Sequence, residues 1–250
     1  RGFSSTICYW NDGKEEPRVV ADRYLASLDR ICEARLDAHL SLKIPALWDR
    51  RDLVAEVVAR ARELGITVVF DSHAPDQSDL TFALAEELGA EGLGAAIPGR
   101  WTRSGEDVER AIRLGLSVRV VKGQWADPAA PGIDLAQGFL DTIDRLAGRA
   151  VHVGVATHDA MLAREAIRRL TAKGTPCTQE LLFALPIEPT ASAARAAGVP
   201  LRLYIPYGSA WLPYSVSRAF ENPRVVYWLM RDILTGRRLK LPPPPPRTEA

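Results

Sequence analysis

The chain has 250 residues, enough for one large domain whose core stands without disulfides or a structural metal. Its 32 basic and 31 acidic side chains nearly cancel, leaving no broad positive field and arguing against nucleic acid or anionic lipid as a partner. With 47% hydrophobic, 25% charged and 7% aromatic residues, the composition is that of an ordinary soluble globular protein.

Taken in chain order, β-branched runs alternate with amphipathic segments. A strand over residues 5–10 is followed by a helix over 17–35, a strand over 39–43 by a helix over 49–64, and a strand over 66–71 by a helix over 78–88. Strands over 92–97, 117–122, 151–157 and 176–182 precede helices over 105–114, 134–146, 160–173 and 190–197, and an eighth strand covers 201–206. Gly65, Gly115, Gly174 and Gly198 stand where a helix ends and the chain turns back toward a strand. Strict alternation implies parallel strands with right-handed crossovers, and eight units close into a (β/α)8 TIM-type barrel. An open doubly wound sheet would carry a G-x-G-x-x-G turn after its first strand; nothing of that kind follows Trp10, and Gly92-Leu93-Gly94 opens a strand instead.

The expected organisation is a single barrel domain over residues 1–238 and a proline-rich tail over 239–250, whose five consecutive prolines favour an extended polyproline conformation. Residues 225–233, with Tyr227 and Trp228, read as a last helix against the barrel wall or as a contact between copies in a homo-oligomer. Cys8, Cys32 and Cys177 lack metal-type spacing and sit in apolar or helical context, so buried, reduced thiols are expected, as in a cytoplasmic protein. Trp10, Trp48 and Trp101 read as rim or interhelix packing residues. No apolar run approaches the roughly 18 residues of a membrane span, and no signal-peptide pattern is read at the start.

In such a barrel, chemistry sits at the C-terminal strand ends, where polar residues gather. The second strand ends in Lys43, the third in Asp71-Ser72-His73, and the fifth carries Arg119 and ends in Lys122-Gly123. The sixth ends in Thr157-His158-Asp159, the seventh contains Glu180 and the eighth Tyr204. A following helical stretch, 211–222, carries Arg218 and Glu221 on one face. Any one of these reads equally well as a solvated rim residue. Arg119 differs, because it lies among valines, where an unpartnered guanidinium is very costly. Charges delivered to one rim by five or six strands point to a functional mouth. A metal-dependent hydrolase or isomerase is one alternative, with Asp71, His73, His158, Asp159 and Glu180 as ligand types and Lys122 as bridge or base, although the first strand lacks the H-x-H of such barrels.

Four segments together resemble the proline dehydrogenase family: Leu40-Ser41-Leu42-Lys43, Val118-Arg119-Val120-Val121-Lys122-Gly123, Ala156-Thr157-His158-Asp159, and Leu203-Tyr204-Ile205-Pro206-Tyr207-Gly208 with Pro213-Tyr214 and the stretch 218–223. The resemblance implies a (β/α)8 flavoenzyme that uses FAD to oxidise proline or a related amino or imino acid, with hydride passing from the carbon next to nitrogen to flavin N5. The electrons then pass to an acceptor that the sequence does not identify. It further implies that Lys43 and Arg218 neutralise the substrate carboxylate and that Asp71 holds Arg218 and Tyr204. Arg119, Lys122, Gly123, Thr157, His158, Glu180 and Glu221 would meet the cofactor.

The departures bear on substrate and cofactor. Ser217 stands where the family has the first of two arginines, and no glutamate partner for it appears in residues 4–11. Pro98 replaces a glutamine that faces the flavin, Trp125 replaces a tyrosine, and Thr178-Gln179-Glu180 replaces a Glu-x-Gln pattern. The segment 128–134 is short and lacks the residues that bind the cofactor pyrophosphate. A hydroxylated, N-substituted or larger imino acid, looser flavin binding, and a non-catalytic barrel that has lost flavin are the readings these departures open.

Overall fold

A computed structural model describes residues 3–11, 13–71, 74–183, 185 and 187–209. Strands and helices alternate as β1 (Ser4–Tyr9), α1 (Pro17–Glu33), β2 (Ala38–Leu42), α2 (Arg51–Glu63), β3 (Val68–Phe70), α3 (Ser78–Leu88), β4 (Leu93–Pro98) and α4 (Ser104–Leu114). The order continues with β5 (Ser117–Val121), α5 (Leu135–Leu146), β6 (Val153–Ala156), α6 (Ala160–Ala172), β7 (Cys177–Leu182), α7 (Glu188–Ala196) and β8 (Leu201–Tyr207). Each strand runs parallel to its sequence neighbours, and β8 pairs with β1 from Ser4↔Arg202 to Tyr9↔Tyr207, so the barrel is closed.

The local signals act as expected at most boundaries. Asp134 and Asp159 cap α5 and α6, each accepting two backbone N–H groups. Gly65, Gly115, Gly174 and Gly198 take positive φ just past α2, α4, α6 and α7. The differences are small: β3 and β6 are shorter than the hydrophobic runs that announce them, α7 starts at Glu188, and short 3-10 turns cover Ile44–Leu47 and Pro75–Gln77. Two expectations fail. Cys32 is exposed on α1 while Cys8 and Cys177 are buried, because the apolar stripe of that helix runs through Val20, Tyr24, Leu28 and Ile31 and leaves Cys32 beside it. Trp48 does not pack; it is 54% exposed in the turn before α2.

Alternation along the strands separates two environments. Outward residues such as Leu40, Leu42, Val68, Phe70, Val118, Val120, Val153 and Val155 join Val57, Phe139, Ile143, Ile167 and Leu170 of the helices in one apolar cluster. The inward face is polar and small. It carries Thr6 and Cys8, His39 and Ser41, Gly94 and Ala96, Arg119, Gly154 and Ala156, Glu180, and Arg202 and Tyr204. At the N-terminal end, Arg202 donates to the Ser5 carbonyl at 2.7 Å and lies 3.4 Å from Asp37. Burial first, and then the Arg202 charge, lower the pKa of the neighbouring His39 to about 4. No helix among the described residues is long and apolar enough to cross a membrane.

Gly99, after β4, and Gly138, in the first turn of α5, pack backbone to backbone. A Cβ on Gly99 would stand 2.6 Å from the Phe139 nitrogen, and one on Gly138 would collide with the Gly99 carbonyl oxygen. Gly138→Ala is therefore expected to destabilise the fold by about 1–3 kcal/mol, read as a lower urea midpoint. His39 supplies a second test. Its unfolded form takes up a proton near pH 6.5 and its folded form only near 4, so stability falls as pH falls between those values. Between pH 6.5 and 5 the loss from this one group is about 1.5 kcal/mol, and a His39→Asn protein is expected to lack that component.

Candidate active site

The C-terminal strand ends surround a cavity of about 460 Å³. Trp10 and Asn11 after β1, Lys43 after β2, Asp71 after β3, Pro98 on β4, Arg119 and Val121 on β5, Leu182 on β7 and Tyr204 on β8 line it. Trp101, Gly123, Gln124 and Trp125 complete the wall.

Arg119 is the centre of this mouth. Its Nε donates to Glu180 Oε2 at 2.8 Å, one guanidinium nitrogen lies 3.9 Å from Asp71 Oδ1, and its Cζ stands 4.5 Å from the centroid of the Tyr204 ring. The side chain is 15% exposed and still borders the cavity. Burial works against its charge, but the Glu180 and Asp71 carboxylates outweigh burial, and the pKa is raised. Asp71 is held in turn: Oδ2 accepts from Tyr204 OH at 3.0 Å and from Ser41 Oγ at 3.1 Å. Burial, followed by the Asp71 charge, pushes the Tyr204 phenol well above its ordinary range, so it remains a protonated donor. Burial likewise raises the neighbouring Cys8 thiol, which stays neutral.

Lys43 is oriented differently. Its Nζ lies 4.0 Å above the Trp10 ring, and the Trp10 indole N–H donates to Cys8 Sγ at 3.1 Å, which fixes the ring beneath the amine.

Five of the expected rim residues, Lys122, Thr157, His158, Asp159 and Glu180, lie beside the cavity and not in its wall. Lys122 stands 3.6 Å from Asp159 Oδ2. The backbone N–H of Leu162 first, and then the Lys122 charge, hold the Asp159 carboxyl below its usual range. Thr157 Oγ1 accepts from the Asp159 N–H at 3.2 Å, and His158 Nε2 accepts from the Leu182 N–H at 2.9 Å, tying the β6 exit to β7. Gly123, at φ +90°, lets the β5 exit pass close to β4, since a Cβ would stand 2.8 Å from Pro98 Cβ and 2.9 Å from Arg100 Cγ. Glu180 reaches the cavity only through Arg119. Arg218, Glu221 and His73 lie outside the described residues. Among the described residues no group of three or more His, Cys, Asp or Glu side chains gathers as a metal site, and His158 is engaged by β7.

Sequence reasoning read Trp101 as a rim or interhelix packing residue but missed the loop contacts that support the mouth. Trp101 is buried and its indole N–H donates to the Trp125 carbonyl at 2.9 Å. Asp127 accepts from the Thr102 N–H and hydroxyl at 2.8 and 2.7 Å and from the Ala129 N–H at 2.9 Å, pinning the loop after β5 to the loop after β4. The signal available was an Asp directly before Pro128 in a strand-end loop, a turn-forming pattern that does not name its partner.

The fold is that of the TIM-barrel class, with its polar groups at the strand C-termini, where such barrels carry their chemistry. No protein-family model matches the chain. Among curated proteins it is similar to Proline dehydrogenase 1 of Bacillus subtilis subsp. natto, 26% identical over 93% of this chain and 83% of that one. It is also similar to Proline dehydrogenase of Deinococcus radiodurans, 24% identical over 86% and 76% respectively. Among solved structures, proline utilization A (PutA) from Bdellovibrio bacteriovorus inactivated by N-propargylglycine superposes with a TM-score of 0.75 at 16% identity. That match covers 88% of this chain and 30% of the PutA chain, and it shows the shared barrel. The similarity to proline dehydrogenases thus extends over most of the chain.

Replacing Arg119 with Met would leave the Glu180 carboxylate buried without its cation, at an expected cost of about 3–5 kcal/mol. The paired change Arg119→Met with Glu180→Met is expected to recover most of that loss. Urea unfolding of the three proteins checks both statements; equal stability of wild type and Arg119→Met would show the pair to be structurally idle.

Proposed function

We propose that the chain is an FAD-dependent oxidoreductase that takes hydride from the carbon next to nitrogen of proline or a related amino or imino acid. One observation carries this reading: a buried, fully ionised Arg119 opens on the barrel-mouth cavity that Lys43 also lines, in a chain similar to proline dehydrogenases over 93% of its length.

The residues present fit a flavin. The cavity sets Trp10, Trp101, Trp125 and Tyr204 beside a fixed cation, a combination suited to a flat ring that becomes electron-rich on reduction. Pro98 offers no backbone donor on the β4 side, so that edge depends on the other strands. When bound, FAD supplies the two-electron acceptor, with N5 receiving the hydride. The protein's part is orientation and charge. Lys43, steadied by Trp10, and Arg218 receive the substrate carboxylate, while Asp71 fixes the Tyr204 hydroxyl and, with it, the ring that stacks on Arg119. Lys122, Gly123, Thr157, His158 and Glu221 are assigned to the cofactor, and Glu180 acts through Arg119. The substrate nitrogen enters unprotonated, so that its lone pair closes the C=N bond as hydride leaves.

Ser217 removes one charge-assisted carboxylate contact, worth about 1.5–3 kcal/mol or roughly ten- to a hundredfold in affinity. A hydroxylated, N-substituted or larger imino acid, able to make other contacts, fits that loss.

Purified protein reconstituted with FAD is expected to be yellow and to bleach anaerobically with one member of an imino-acid panel. A colourless protein after FAD addition overturns the reading. Lys43→Met is expected to raise KM by about ten- to a hundredfold while lowering kcat less, because it removes binding common to ground and transition states. Steady-state kinetics on the preferred substrate checks this.

A further inference from the structure

We infer that Glu180 is a positioning residue that sets how much of the Arg119 charge the flavin feels, and hence the electron affinity of the site, with Gly154 as the residue that permits it. The inference rests on the flavin reading above. Glu180 is 6% exposed and does not line the cavity, so it meets neither substrate nor ring directly. Its register neighbours are Ala156 on β6 and Arg202 on β8. Arg202 is buried, and its Nε has no hydrogen-bond partner among the described residues, so a cationic donor stands on the adjacent strand.

The carboxylate nevertheless crosses β6 to reach Arg119 on β5, at 2.8 Å. The crossing passes over Gly154, the register partner of Arg119. A Cβ there would collide with Glu180 Oε1 and stand 3.0 Å from Cδ. Gly154 is not among the glycines with positive φ, so its backbone does not require glycine and the space above it does. With Asp71 at 3.9 Å on the same guanidinium, two carboxylates attenuate one cation. Glu180 thereby makes reduced flavin less stable than an unpaired arginine would, and favours passing electrons onward.

The test is a spectroelectrochemical titration of the FAD-loaded protein. Glu180→Gln is expected to raise the preference for reduced over oxidised flavin roughly tenfold, about 30 mV for a two-electron couple. Gly154→Ala, which keeps the carboxylate but pushes it off Arg119, is expected to shift the potential the same way by less, and it serves as the second variant if Glu180→Gln does not fold. An unchanged or lowered potential in folded, flavin-loaded variants overturns the inference even if their thermal stability changes, since that pattern marks a structural role alone. A wild-type protein that takes up no flavin overturns the proposed function and this inference with it, a result distinct from loaded protein with an unmoved potential.

Discussion

A guanidinium inside a β-barrel must be given counter-charges by the fold, because removing it from water costs several kcal/mol that only close carboxylates and hydrogen bonds return. Arg119 receives them symmetrically. Asp71 comes from the end of β3, two strands to one side of β5, and Glu180 from β7, two strands to the other. Alternate strands of a (β/α)8 barrel contribute to the same interior layers, so this arrangement belongs to a closed barrel and not to an open sheet. Ser41 and Tyr204 then tie Asp71 to β2 and β8, so five strands meet in one polar network.

Such a network needs room and an independent source of stability. Room comes from the strands flanking β5: β4 turns Gly94 and Ala96 inward, and β6 turns Gly154 and Ala156 inward, so long side chains from β5 and β7 can lie across them. Stability comes from the other face. Valines, leucines and Phe70 on the outward positions pack against the amphipathic helices α1 to α7, and that apolar shell carries the burial that a barrel interior filled with branched side chains would otherwise share. The interior is thereby released for chemistry.

Much of this was legible in the residue order. Period-two and period-3.6 patterns placed the eight strands and seven helices found among the described residues, and the glycines ending α2, α4, α6 and α7 marked the turns, because these signals are local. Arg119 was also legible as a residue that must have a partner. The partner itself was not: Glu180 reads in sequence as one more rim residue, and its contact spans two strands and depends on the missing side chain of Gly154. Cys32 and Trp48 failed for a related reason. An apolar neighbourhood in sequence does not say which side of a helix stripe a residue falls on, nor whether a turn folds inward.

Among the described residues, the two cations that line the mouth divide their work according to what surrounds them. Arg119 is enclosed by carboxylates, so its capacity to bind a further anion is largely spent within the protein. Lys43 forms no ion pair among the described residues and rests on an indole face, which steadies the amine without neutralising it. A carboxylate entering the cavity therefore meets Lys43 as the cation still able to pair, while Arg119 can act on charge that develops nearby. On the proposed function, that separation lets one small cavity bind an acid and favour electron gain with two groups that do not compete for the same anion.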